Sequence, residues 1–240
     1  MVVEQRTGFG PSIIPHLWYA DQDRALVFLQ RALGFELHFT APEPGGGVHA
    51  ELRIGRGFVM VGPRHTPRHG FSTPREVGDV NTGAVYIATP DVDELFERAL
   101  QAGAAVLAAL HDTEWGSRDF TVRDREGYLW HLGTYHPTPD DRADVTEAEV
   151  FDALRYQRAR AAIAWLCDAF GFEQHRLVPG AGDQVAHALL RFGTSLLLVS
   201  SAPEDDPLGL KTPRQAGGVH TQVVYCVVED PGAHCAQAAA

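Results

Sequence analysis

The sequence predicts an α+β fold of β-α-β-β-β modules: one complete domain followed by an incomplete second copy. Two observations predict it. The first is a long duplication. "RALVFLQRALGFELHF" (24–39) returns as "AAIAWLCDAFGFEQHR" (161–176), with apolar residues at matching helical positions and Gly-Phe-Glu in both. The offset is 137 there, 138 where "GVHAELRIG" (47–55) meets "VAHALLRFG" (185–193), and 139 where "VNTGAVYIATPD" (80–91) meets "VHTQVVYCVVED" (219–230). Single-residue drift is what loop insertions leave in a duplicated chain. The second is a finer repeat inside the first copy, where "HLWYADQDRALVFLQRALGFEL" (16–37) and "VYIATPDVDELFERALQAGAAVL" (85–107) share one plan.

That plan is an apolar strand, an Asp-x-Asp turn and an amphipathic helix. Leu26, Phe28, Leu29, Ala32 and Leu33 are spaced for one helix face, as are Leu95, Phe96, Ala99 and Leu100. Asp23 and Asp93 suit N-caps, since a carboxylate accepts from unpaired first-turn N–H groups. Gly34 and Gly103 suit the position just past each helix, where φ is positive. Three short β signals follow each helix: "FELHFT", "GVHAELRIG" and "GFVMVGP", then "AVLAAL", "DFTVRD" and "YLWHLGTY". "EPGGG" and "REG" mark turns between them. The first domain is therefore expected over 12–136, with modules at 12–63 and 82–136. The polar, Pro-bearing stretch 137–149 reads as a linker, and 150–240 as the second copy. In this alignment nothing corresponds to residues 102–136 in the second copy.

Composition narrows the function classes. At 240 residues the chain has ample material for a core, and 45% apolar with 21% charged residues is ordinary for a globular protein. A formal net charge of −11 disfavours nucleic acid and anionic membrane surfaces as partners. No apolar run approaches the roughly 20 residues of a membrane span. No signal peptide is visible, and Cys167, Cys226 and Cys235 are sparse and odd in number, so a cytoplasmic protein with reduced thiols is expected. No phosphate-binding glycine loop, His-Glu-x-x-His or Gly-x-Ser-x-Gly occurs. "GPRHTPRHG" (62–70) reads as a solvated loop, or as a cationic lid over an anionic ligand.

The paired modules, with "HAELRIG" and "WGSRDFTVRDREGYLWHLGTY", resemble the vicinal oxygen chelate superfamily, nearest its glyoxalase/bleomycin-resistance-type, PhnB-like branch. The resemblance implies that two modules set their strands side by side in a cupped mixed sheet with helices outside, and that the cup is the binding site. It also implies a divalent metal in catalytic members, held by His and Glu. Carried over position by position, the metal-ligand places fall on Ile14, Met60, Ala84 or Val85, and His131, a poor set for an ion that needs about three protein ligands. A shifted set of His16, His49, Glu51 and His131 is the alternative.

Alternation on the strand puts Ala50, Leu52 and Ile54 under the helices and His49, Glu51 and Arg53 in the cup. The second copy offers His187, Leu189 and Arg191 there, so polar recognition is concentrated in the first. The resulting expectation is a small-molecule binding protein without metal or other cofactor, taking an aromatic or amphipathic compound. Trp18, Met60, Tyr86, Trp115, Phe120 and His131 would supply stacking and shape, and His16, His49, Glu51 and Arg118 polar complementarity. Trp130 is a core or pocket-wall candidate. The alternatives are a metal-dependent lyase, isomerase or dioxygenase with the shifted set, and a non-binding module acting through protein contacts. An apolar edge on "TQVVYCVV" (221–228) further predicts a homodimer in which the second copies meet.

Overall fold

A computed structural model describes residues 12–64, 71–138, 146–206 and 208–239. The first module runs β1 (Ile13–Tyr19), α1 (Gln22–Leu33), β2 (Glu36–Pro42), β3 (Val48–Ile54) and β4 (Gly57–Pro63). The second repeats it with β5 (Ala84–Ala88), α2 (Val92–Gln101), β6 (Ala105–Asp112), β7 (Arg118–Arg123) and β8 (Leu129–Gly133). The third follows with β9 (Glu149–Tyr156), α3 (Ala159–Phe170), β10 (Glu173–Pro179), β11 (Val185–Phe192) and β12 (Ser195–Ser201). Then come β13 (Val223–Cys226) and α4 (Pro231–Ala238). Most of the 62–70 loop and the middle of the 137–149 linker lie outside the described residues.

The N-caps of α1 and α2 lie two residues before the expected ones. Asp21 is the N-cap of α1, its carboxylate accepting from the Arg24 N–H at 3.2 Å, and Asp91 flanks α2 without a side-chain bond. Asp23 and Asp93 fall in the first turn instead, where their charge still complements the helix dipole. Gly34 ends α1 in the left-handed region at φ 78°, as expected.

The modules pair as βαβββ units in two mixed sheets, and the pairing runs across the two copies. β13-β1-β4-β3-β2 form a five-stranded sheet, and β10-β11-β12-β9-β5-β8-β7-β6 an eight-stranded one. Module two therefore stands beside module three, through antiparallel β5 and β9, and module one stands beside β13. This corrects the expectation that modules 12–63 and 82–136 share one cup. They share an apolar core instead: Leu17, Leu29, Leu33 and Leu52 pack in one buried cluster with Leu95, Phe120, Trp130 and Leu132.

Polar bonds fix this arrangement. Thr82 and Thr221, equivalent at the 139-residue offset, each donate a backbone N–H to the other's hydroxyl at 2.9 Å. Tyr128 donates its hydroxyl to the Trp18 carbonyl at 2.6 Å, and the Tyr19 hydroxyl reaches the buried Asp124 carboxylate at 2.7 Å. Asp124 also accepts from Trp130 Nε1 and from the backbone of Glu126 and Tyr128, which offsets much of what burying it costs. Burial still raises its pKa to about 6 against those bonds. The Glu126 carboxylate accepts from the Ala20 and Asp21 N–H groups. The "RDREG" turn thus clamps module two onto the start of α1. The turn between β3 and β4 docks on β9, and a Cβ at Gly57 would sit 2.4 Å from the Val150 backbone nitrogen.

Candidate functional site

Strand alternation divides each sheet into a face under the helices and a free face. On the five-stranded sheet, Leu17, Ala50, Leu52, Val59 and Val61 belong to the core. Ile14, His16 and Trp18 of β1, His49, Glu51 and Arg53 of β3, and Phe58, Met60 and Gly62 of β4 take the other parity. The pairing of His16 with Met60 and of Glu51 with Met60 brings them together at the centre.

An aromatic row crosses this face. His16 stacks on Trp18 with centroids 4.2 Å apart, Trp18 stacks on Phe71 at 4.4 Å, and His49 meets His16 edge-on at 5.9 Å. Gly62 lets the row lie flat, because a Cβ there would come within 3.3 Å of both the His16 and Trp18 rings. Burial, and then the neighbouring His49, push the His16 pKa down to about 4, so the ring is neutral at pH 7. Its buried Nε2 has no hydrogen-bond partner among the described residues. His49 Nε2 lies 3.7 Å from the Glu51 carboxylate, and both side chains keep about a quarter of their surface in solvent (24% and 23%). Met60 is buried beside them. The face thus offers apolar walls, ring surfaces and one partly wet acid–imidazole pair.

The free face of the eight-stranded sheet is different. Tyr86, Ala88, Phe151, Leu189 and Leu196 form a buried cluster, with Tyr135 and Leu198 packed on it. The chain itself covers them. The Tyr86 hydroxyl donates to the Tyr135 carbonyl at 2.5 Å, and the His136 side chain, 3% exposed, meets Phe151 edge-on. Burial first, then the Asp119 charge, raise the Tyr86 pKa, so it stays a phenol donor. At the other end Leu208 and Leu210 pack on Ala84, Leu129 and Ala153.

His131 sits at the margin of this face, with both ring nitrogens engaged. Nδ1 is 2.7 Å from the Thr121 hydroxyl, and Nε2 is 3.5 Å from the Asp119 carboxylate. Burial works to raise the Asp119 pKa, but hydrogen bonds from His131 and Ser117 outweigh it and hold the group ionised.

The expected site residues therefore separate. His16, Trp18, His49, Glu51 and Met60 share the five-stranded face. Tyr86 and His131 belong to the eight-stranded one, so the shifted set of His16, His49, Glu51 and His131 does not converge. Phe120 is corrected to the core: it is fully buried, against Phe96 of α2, because the opposite parity of β7 carries Asp119, Thr121 and Arg123. Arg118 lies on the exterior, bound to Asp93 and Asp112. Trp115 is 74% exposed on the hairpin between β6 and β7. Trp130 is fully buried in the core. Phe71 went unread, for it is a lone aromatic outside any strand pattern, and only its bridge to His220 brings it to Trp18.

A sequence profile of the glyoxalase/bleomycin resistance protein/dioxygenase superfamily matches residues 13–132, from β1 to β8. The chain belongs to this superfamily. An uncharacterized protein of Mycobacterium bovis is 37% identical over 127 residues, covering 51% of this chain and 82% of the relative. One of Mycobacterium tuberculosis strain H37Rv is equally similar, with 74% of its length covered. Glyoxalase I of Zea mays superposes with a TM-score of 0.61 at 18% identity, covering 81% of this chain and 68% of that one, which shows the shared fold. The divalent metal of the superfamily's enzymes does not fit these residues. Ile14, Met60 and Ala84 present no ligand atom suited to a hard cation, and His131 is committed on both nitrogens. Among the described residues no group of three or more His, Cys, Asp or Glu side chains is arranged to hold a metal.

Proposed function

We propose that this superfamily member binds a small aromatic or amphipathic molecule on the free face of the five-stranded sheet, without a resident metal. The contrast between the two faces carries the reading. The eight-stranded face is filled by the chain's own Tyr135, His136 and Leu210, whereas the five-stranded face presents the His16–Trp18–Phe71 row, Met60 and the His49–Glu51 pair. Small-molecule sites are mostly apolar with a few convergent polar groups, and this face has that make-up. The ligand's flat part would lie along Met60 and the rings, and Glu51 with His49 would receive its hydrogen-bond donors. No described helix is long and apolar enough to cross a membrane.

The test is calorimetric titration with 1-anilinonaphthalene-8-sulfonate as an aromatic amphipathic probe, beside elemental analysis of protein purified without chelator. Saturable binding that Met60→Ala weakens by about 1–3 kcal/mol, the usual scale for a lost buried apolar contact, is expected, with no stoichiometric metal. One ion per chain that disappears in His49→Ala or His131→Ala would contradict the reading.

A further inference from the structure

The duplicated strand holds one exchange that the fold does not require. At the 138-residue offset β3 and β11 keep His49 and His187, and Arg53 and Arg191, but Glu51 stands where the second copy has Leu189. The two arginines serve their sheets in the same way, for Arg53 binds Glu36 of β2 and Arg191 binds Glu173 of β10. Leu189 is buried with Tyr86 and Phe151 on the face that the chain itself fills. Glu51 lies on the face left open, opposite Met60 in the pairing of β3 with β4. The same strand thus takes an apolar residue where the face is closed and a carboxylate where it is open.

A carboxylate withdrawn from water is costly unless a positive charge or hydrogen-bond donors compensate it. The Glu51 side chain keeps 23% of its surface in solvent, and among the described residues its one ion-pair neighbour is His49 Nε2 at 3.7 Å, an imidazole that carries charge only when protonated. Arg53, the next residue of that parity on β3, is engaged by Glu36. His16 is neutral at pH 7 and does not repel a cation. At a net charge of −11 the chain as a whole also attracts cations from solution and repels anions. We infer that the ligand of this face is a planar aromatic cation with N–H donors, a protonated aminoheteroaromatic or an arylamidine, whose charge Glu51 neutralises while its rings lie along Met60. Its N–H groups give the carboxylate the charge-assisted hydrogen bonds that the protein does not supply. The inference rests on the binding face proposed above and adds the sign of the ligand's charge.

Calorimetric titration of the full chain at pH 7.5 tests it with 9-aminoacridine, a cation at that pH, and acridine, which shares the ring system and is neutral there. The cation is expected to bind at least about tenfold more tightly, the scale of a hydrogen bond to a charged group. Glu51→Gln keeps an acceptor without the charge, and Glu51→Leu installs the side chain of the second copy. Both should erase the preference while acridine affinity stays within about twofold and circular dichroism is unchanged. Glu173→Gln removes one negative charge from the second copy and should leave the preference intact. Equal binding of the two compounds to wild type, with both weakened by Met60→Ala, overturns the inference and leaves the binding face standing. A preference for the cation that survives both Glu51 variants overturns it as well. If neither compound binds, or Met60→Ala weakens neither, the proposed face fails and the inference falls with it.

Discussion

Asp152 should make the folded state lose stability as the pH rises from 5 to 8. It is fully buried on β9, where Oδ1 accepts from Gln222 Nε2 at 2.5 Å and Oδ2 has no partner among the described residues. Burial raises its pKa to about 8, against the Gln222 bond, which lowers it. In the unfolded chain the value is about 3.9. A group whose folded pKa is raised binds its proton more tightly in the folded state. Its contribution is therefore complete below about pH 4 and is lost as the pH climbs through 8. At about 1.4 kcal/mol per unit, the linkage between pH 5 and 7 comes to roughly 2–3 kcal/mol. Asp152→Asn has no proton to lose. Its fixed cost or gain from altered hydrogen bonding is the same at each pH and cancels in the comparison. Urea unfolding of both proteins at pH 5, 6 and 7 should show the wild type losing about 2–3 kcal/mol more than the variant. Parallel stability curves would refute a protonated Asp152. The other groups shifted by burial, among them Asp124 and His16, are present in both proteins and drop out of the difference.

Gly57→Ala places a Cβ 2.4 Å from the Val150 nitrogen and should cost about 1–3 kcal/mol in urea unfolding. An unchanged midpoint would mean that the hairpin does not dock on β9. Tyr19→Phe removes one of the donors to buried Asp124 and should cost about 1–3 kcal/mol, measured the same way. Trp115→Ala, at a position 74% exposed, should shift stability by less than about 0.5 kcal/mol and leave probe binding unchanged. A binding loss there would bring the β6–β7 hairpin back into the site.

The periodicities carried the local structure well. The alternation in "GVHAELRIG" places His49, Glu51 and Arg53 on one face and Ala50, Leu52 and Ile54 on the other, and the drifting offset of the duplication leads to the Thr82–Thr221 pair. Module pairing was hidden for a physical reason. A period of two tells which face a residue takes, but not which strand lies beside it, and β1 and β5 are both apolar enough to accept several neighbours. Phe120 misled because an aromatic residue fits a core as well as a pocket, although Asp119, Thr121 and Arg123 around it mark the opposite parity as polar. Asp152 did leave a signal. On β9 it interrupts Val150 and Leu154, on a parity that should be apolar, and such a break marks a buried polar contact that only the tertiary partner, Gln222, identifies.

Methionine offers the most direct test of the binding face, for the chain has two, Met1 and Met60. Selective methyl labelling therefore gives a two-signal NMR spectrum in which one signal reports from the centre of the five-stranded face. Titration with 1-anilinonaphthalene-8-sulfonate should shift the Met60 methyl signal progressively to saturation, as ring currents act on a group in contact with the probe. A probe that saturates the protein by calorimetry without moving Met60 would show that the ligand binds elsewhere.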